Sequence, residues 1–137
     1  MAAAAPAPDA SEAAAVRAFE RLPQLAERDP WLVQRGRFLT TECLIQVGSV
    51  PFHLSIAAGR VAGLVRGPRL LSPWSFAVRA SAQAWLNHWR PVPAPGWHDL
   101  FAMTRHQEAS VEGYLFPLMA NLQYVKDLLA LPRKAEG

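Results

Sequence analysis

Cysteine is nearly absent from this chain of 137 residues, with Cys43 the only one. That excludes an internal disulfide framework and any multi-cysteine zinc site, so the fold has to stand on packing, and a reducing compartment suits it. Long apolar runs are missing as well. No stretch approaches the roughly 20 apolar residues that a membrane-spanning helix needs, which predicts a soluble protein without stable membrane insertion. Charge is sparse, with 14 Lys and Arg against 11 Asp and Glu for a net +3. Because the basic residues are scattered singly, nucleic acid is not an expected partner. Glycine-rich phosphate cradles, nucleophile elbows and cysteine-based metal motifs are absent too. The histidines His53, His88, His98 and His106 share no spacing that would gather ligands on one local element. No metal or other cofactor is expected.

What the chain does carry is apolar and aromatic surface, divided by frequent turn signals. A chain of this length can bury roughly two-thirds of its unfolded surface in one core. Residues 1–10 read as a disordered tail, since Met1 to Pro8 are mostly alanine and proline without a basic leader or a long apolar stretch. Residues 11–133 form one domain, and 134–137 a short second tail.

Within the domain, Ala15, Val16, Phe19 and Leu22 recur at helical spacing from Ser11 onward, and Pro23 predicts a break followed by a short turn to Glu27. Asp29 before Pro30 reads as a cap, with Gly36 as terminator, giving a helix over Pro30 to Arg35. The period then changes to two. Leu39, Thr41, Cys43, Ile45 and Val47 fall on one side of a first strand, and Phe52, Leu54 and Ile56 alternate with His53 and Ser55 in a second. Val61 to Arg66 makes a third strand, and the short loops between them predict an antiparallel meander. Trp74, Phe76, Val78 and Ala80 form the fourth strand. Ser81 caps a helix with Ala82, Trp85, Leu86 and Trp89 on one face, which Pro91, Pro93, Pro95 and Gly96 stop in a stiff elbow. Trp97, Leu100 and Phe101 begin another helical turn, and Ala109, Val111 and Gly113 make a short fifth strand. Leu118, Leu122, Val125 and Leu129 predict one closing helix from Leu115 to Leu131, with Pro117 in its first turn and Pro132 at its end. The expected fold is α+β, a five-stranded, largely antiparallel sheet with helices covering one face.

This order of elements is accompanied by several phrases: Trp74-Ser75-Phe76-Ala77-Val78-Arg79, Gln83-Ala84-Trp85-Leu86, Asp99-Leu100-Phe101-Ala102-Met103, Ser110-Val111-Glu112-Gly113 and Pro117-Leu118-Met119-Ala120-Asn121-Leu122. Together they resemble the sterol carrier protein (sterol-transfer) family, in particular its compact bacterial members, over Phe19 to Leu131. The resemblance implies an apolar tunnel, enclosed by sheet and helices, that accepts fatty acyl chains, acyl-CoA thioesters or sterol-like lipids. It also implies a carrier, or a domain that presents its ligand to an enzyme partner. Three places depart from the family pattern. Tyr114 stands where many members have a small polar or acidic residue that caps the last helix. His106-Gln107-Glu108 replaces a glycine-containing turn, and Lys134-Ala135-Glu136-Gly137 lacks the peroxisomal tripeptide of eukaryotic relatives, from which cytoplasmic residence follows.

The expected lining of such a tunnel is apolar throughout. Strand four gives it Phe76 and Val78, the helix after it Trp85 and Trp89, and the elbow region Trp97, Phe101 and Met103. The closing helix, as wall or lid, adds Leu118, Met119, Leu122 and Val125, with Met119 and Met103 the most adaptable. Ordinary core filling explains the tryptophans as well as a cavity does.

No catalytic residue is assigned. His98 beside Asp99 is the nearest approach to an oriented base, but neighbours on a helix do not face one another and Asp99 reads more simply as a cap or dipole partner. Cys43 reads as a small buried hydrophobe. Arg79 and Glu112 would pair across the sheet, facing outward or, facing inward, gripping an anionic headgroup. The function expected is therefore non-catalytic binding and carrying of a hydrophobic small molecule. Two alternatives stay open: an isomerase or hydrolase acting on a hydrophobic substrate in the same tunnel, and an accessory subunit whose groove receives a partner helix.

Overall fold

Proline and glycine placement decides where the helices begin and end. In a computed structural model, which describes residues 10–67, 73–105 and 109–134, helix α1 (Ala10–Glu20) buries Ala15, Val16 and Phe19 on one face. Helix α2 (Leu22–Glu27) carries Pro23 in its first turn, where the missing N–H has no helical partner to lose, so the break lies just before the proline. Helix α3 (Pro30–Arg35) starts on Asp29, whose Oδ1 accepts from the Leu32 N–H at 3.1 Å, and stops at Gly36.

Strands β1 (Thr41–Val47), β2 (Val50–Ala57) and β3 (Arg60–Arg66) form the expected antiparallel meander. The β2–β3 turn takes positive φ at both Ala58 (51°) and Gly59 (82°), the geometry that lets a two-residue turn follow the strand twist. Strand β4 (Phe76–Ala80) then pairs on the far side of β1, and in parallel, while β5 (Ala109–Gly113) is antiparallel to β4. The order β3-β2-β1-β4-β5 thus holds one parallel pair in an otherwise antiparallel sheet. The first two residues of the expected fourth strand, Trp74 and Ser75, precede β4 rather than joining it.

Helix α4 (Ala82–His88) is capped by Ser81, whose Oγ accepts from the Ala84 N–H at 3.0 Å. Its buried residues are Ala84, Trp85 and His88, and Trp89 just beyond its end is buried too, so both expected tryptophans face inward while Ala82 and Leu86 are only half-buried. After α5 (Leu100–Thr104), the expected closing helix is three pieces: α6 (Phe116–Ala120), α7 (Leu122–Leu129) and α8 (Leu131–Lys134). The first break is at Asn121, with φ −130° and ψ 38°, and Pro132 lies inside α8 rather than ending α7. Leu115, at the N-cap of α6, makes no side-chain cap bond. Residues 106–108 lie outside the described residues.

The helices pack on the sheet face that carries Cys43, Ile45, Phe52, Leu54, Phe76 and Val78, all buried. An aromatic row crosses this core. Phe19 lies 5.0 Å from Phe52 and 6.1 Å from Trp89, which stacks on Trp85 at 5.2 Å and 22°. Each such ring buries on the order of 200 Å², at about 25 cal/mol per Å² of apolar area.

Candidate ligand-binding seam

The opposite sheet face is polar and settles two questions about charge. Arg79 Nε donates to Glu112 Oε1 at 2.6 Å and Nη1 donates to Gln46 Oε1, so the pair faces outward, where an ion pair contributes little. On the same face His53 is buried, with Nε2 3.6 Å from Glu42 Oε1. Cys43, on the helix side, is buried, and its thiol is pushed far above the usual range by desolvation and then by the Glu42 charge, which makes it inert.

Asp99 occupies the N-cap position of α5 without a side-chain cap bond. It takes an ion pair from Lys126 Nζ at 2.8 Å instead, while His98 is exposed and contributes its backbone carbonyl to Arg133 Nη2 at 3.3 Å. An oriented base is not what this pair makes. His106 lies outside the described residues, and among the described residues no group of three or more His, Cys, Asp or Glu side chains could hold a metal.

A different histidine is the more telling one. His88 is 2% exposed on α4, a position that sequence reasoning passed over although it lies one turn beyond Ala84 and Trp85. Its Nδ1 is 2.7 Å from the Trp97 carbonyl oxygen, a bond that requires the proton on Nδ1 and ties the elbow to the helix. Its Nε2 is buried and has no hydrogen-bond partner among the described residues. Arg133 closes the arrangement by donating from Nε (3.0 Å) and Nη2 (2.6 Å) to the His88 carbonyl oxygen. Burial lowers the His88 pKa, against the opposing effect of the Trp97 bond. It also lowers that of Arg133.

The expected tunnel lining separates by depth. Phe76, Val78, Trp85, Trp89, Met103, Leu118 and Val125 are buried in the core. Both indoles are tied by their N–H groups, Trp85 to the Gln46 carbonyl at 2.9 Å and Trp89 to that of Leu129 at 2.7 Å, so they serve as packed anchors. Trp97, Phe101 and Leu122 are half-buried against the core, and Met119 is exposed. Leu122 lies one turn before Lys126, whose Nζ is 5.6 Å from the Phe101 ring centre. Ranked by burial, the apolar side chains of α5, α6 and α7 run from exposed Met119, through half-buried Phe101 and Leu122, to buried Met103 and Leu118. We call this stretch the seam.

Three clefts open elsewhere on the surface. One of about 450 Å³ lies between α2, α3 and β3, bounded by Ala26, Pro30, Val33, Arg60 and Val61. Another, of about 420 Å³, runs beside Trp31, Arg35 and Asp127, and a third, of about 370 Å³, beside Gln46, Arg79 and Ser110. None of the eleven expected lining residues borders them.

No protein-family model and no curated protein matches this chain. Solved structures do. The fold is similar to a crystal structure of sterol carrier protein 2 (TM-score 0.65, 14% identity, 86% of this chain and 95% of that one). It is also similar to the solution structure of a conserved hypothetical protein of Thermus thermophilus, suggested to be a sterol carrier protein (TM-score 0.60, 11% identity, 98% and 94%). A third similar structure is UbiJ-SCP2, a ubiquinone synthesis protein (TM-score 0.54, 19% identity, 93% and 95%). At these identities the likeness establishes the fold alone, which is similar to that of sterol carrier protein 2.

Proposed function

We propose that the protein binds a hydrophobic small molecule, a fatty acyl chain, acyl-CoA or sterol-like lipid, and carries or presents it without altering it. The observation that carries this reading is the seam, a set of apolar side chains on α5, α6 and α7 that spans every depth from exposed Met119 to buried Met103 and Leu118. Methionines at both ends give a wall that can re-pack around a guest, and the breaks between α6, α7 and α8 give a covering built of short pieces rather than one rigid rod. The likeness to sterol carrier protein 2 supports the same reading. Trp97, Phe101 and Leu122 are its inner lip.

Affinity would come from desolvating the ligand's apolar surface. A fluorescent fatty acid should bind and quench tryptophan emission, and Leu122→Gln, at a half-buried position, should weaken binding by about tenfold with the fold intact. Mass spectrometry of molecules that co-purify with the protein should identify the occupant. A folded protein that binds nothing in a broad panel of acyl and sterol probes would refute the proposal. The enzyme alternative finds no matching support at His98, since its neighbour Asp99 is engaged by Lys126.

A further inference from the structure

Two buried polar atoms come together on the sheet face turned away from the helices. In the β1–β2 ladder Glu42 lies opposite Ser55 and Leu44 opposite His53, so the Glu42 and His53 side chains stand diagonally across one strand pair. His53 is 2% exposed, and its Nε2 has no hydrogen-bond partner among the described residues. The same holds for Glu42 Oε2, a buried atom of a side chain that is otherwise 45% exposed. Nε2 lies 3.6 Å from Glu42 Oε1, beyond the reach of a good hydrogen bond. Buried polar atoms are nearly always satisfied, so two orphans this close point to a small bound species shared between them. There is room for one. Ser55 is half-buried beside Glu42, and across from it on β3 stands Gly63, where the atoms nearest to an added Cβ are those of Ser55 at 4.0 Å.

We propose that Glu42 and His53 hold a divalent cation of the zinc type, which ties β1 to β2 on the outer face of the sheet. An imidazole nitrogen and a carboxylate oxygen are both ordinary zinc ligands at about 2.0–2.2 Å, and at a tetrahedral angle two such ligands stand about 3.4 Å apart. The observed 3.6 Å needs only a small adjustment. Neutral imidazole offers its lone pair at Nε2, and the carboxylate supplies the negative charge that a buried cation requires. The exposed part of Glu42 gives the ion a way in from solvent, and Gly63 leaves space for the waters that complete its coordination. Arg79, on the same face, is held by Glu112 and Gln46 and does not claim the Glu42 carboxylate. Magnesium fits less well, because it prefers oxygen ligands in an octahedral set over an imidazole. This site is independent of the seam and of whatever the seam binds.

The test is isothermal titration of the full, tag-free chain with Zn2+, with Mg2+ as the control and thermal melts alongside. Zn2+ should bind and raise the melting temperature, because an ion held only by the folded state stabilises it, and Mg2+ should do neither. Glu42→Gln, at a half-exposed position, should weaken zinc binding by at least about tenfold, the scale on which even outer-shell substitutions act. His53→Gln should do the same. Since His53 is buried and its variant can fail to fold, Glu42→Gln carries the test in that case. His98→Ala, at an exposed histidine of the elbow, should leave binding unchanged. X-ray absorption at the zinc edge should show an imidazole and only nitrogen or oxygen neighbours, at about 2.0–2.2 Å. No response to millimolar Zn2+, the outcome if a water alone bridges the two atoms, would overturn the proposal. So would zinc binding that folded Glu42→Gln retains in full, or that His98→Ala abolishes, because the ion would then sit elsewhere.

Discussion

At His88 one side-chain bond ties a helix to the elbow after it, and burial of the ring opposes a second proton there. The ring is neutral in its buried place, with Nδ1–H held by the Trp97 carbonyl, and protonation would put a donor on Nε2, which no acceptor among the described residues receives. Arg133, around the His88 carbonyl, makes the added charge still less welcome, and Asp99 only partly offsets it. The folded pKa is lowered below the unfolded value near 6.5, so at pH values between the two the unfolded chain binds more protons. The stabilising contribution of neutral His88 is therefore present above about pH 6.5 and is lost as pH falls through that value and on towards the folded pKa. Thermal melts from neutral to mildly acidic pH should show this loss. His88→Asn, whose amide can still donate to the Trp97 carbonyl, should flatten the profile in that window. An unchanged pH profile in the folded variant would remove His88 from the account.

At the scale of elements, the turn between β2 and β3 is where backbone geometry is tightest. Gly59 combines φ 82° with a position at which a Cβ would stand 2.5 Å from the Val33 carbonyl oxygen and 2.7 Å from the Gly36 carbonyl carbon. The Tyr124 hydroxyl also donates to the Gly59 carbonyl at 2.7 Å, so strand turn, α3 and α7 meet on this residue. Gly59→Ala should cost more than the roughly 1 kcal/mol of positive φ alone, on the order of 2–4 kcal/mol, read as a lower urea midpoint at unchanged slope. An Ala variant as stable as wild type would show that α3 can move away from the turn.

Much of this layout was legible in the residues. Asp29-Pro30 and Ser81 announced their helices through chemistry local to the cap, and period-two alternation placed the strands within a residue or two. Other features depended on contacts that no local pattern encodes. The parallel pairing of β1 with β4 joins residues far apart in the chain. The break at Asn121 was hidden because the apolar stripe continues across it, and the burial of His88 on α4 goes with a bond to the Trp97 carbonyl that no local pattern announces. For the seam, residue type was readable but depth was not. Trp85 and Trp89 looked as fit for a cavity as Phe101 and Met119, and only their N–H bonds to strand and helix carbonyls set them apart as anchors.

For the molecule as a whole, each end of the helical layer is fastened to the sheet by a small number of directional bonds, with apolar packing between. Trp85 reaches β1 through the Gln46 carbonyl and Tyr124 reaches the β2–β3 turn. Trp89 and Arg133 bind the last helices back to α4. Among the described residues no helix is long and apolar enough to cross a membrane.

The parallel pair at the centre of the sheet also dictates an order of assembly. Strands β1, β2 and β3 need only tight turns to find one another, whereas β4 can pair with β1 only after the intervening hairpins and a longer connection have been traversed. Closing that long loop costs chain entropy before any contact repays it, so we expect the barrier to folding to lie at the junction of β1 and β4. Val78→Ala, in the middle of β4, should then slow refolding nearly in proportion to its loss of stability, while Leu64→Ala, on edge strand β3, should mainly speed unfolding. Stopped-flow chevrons with the opposite pattern would place the nucleus in the meander, and β4 would then be a late arrival on a sheet already half built.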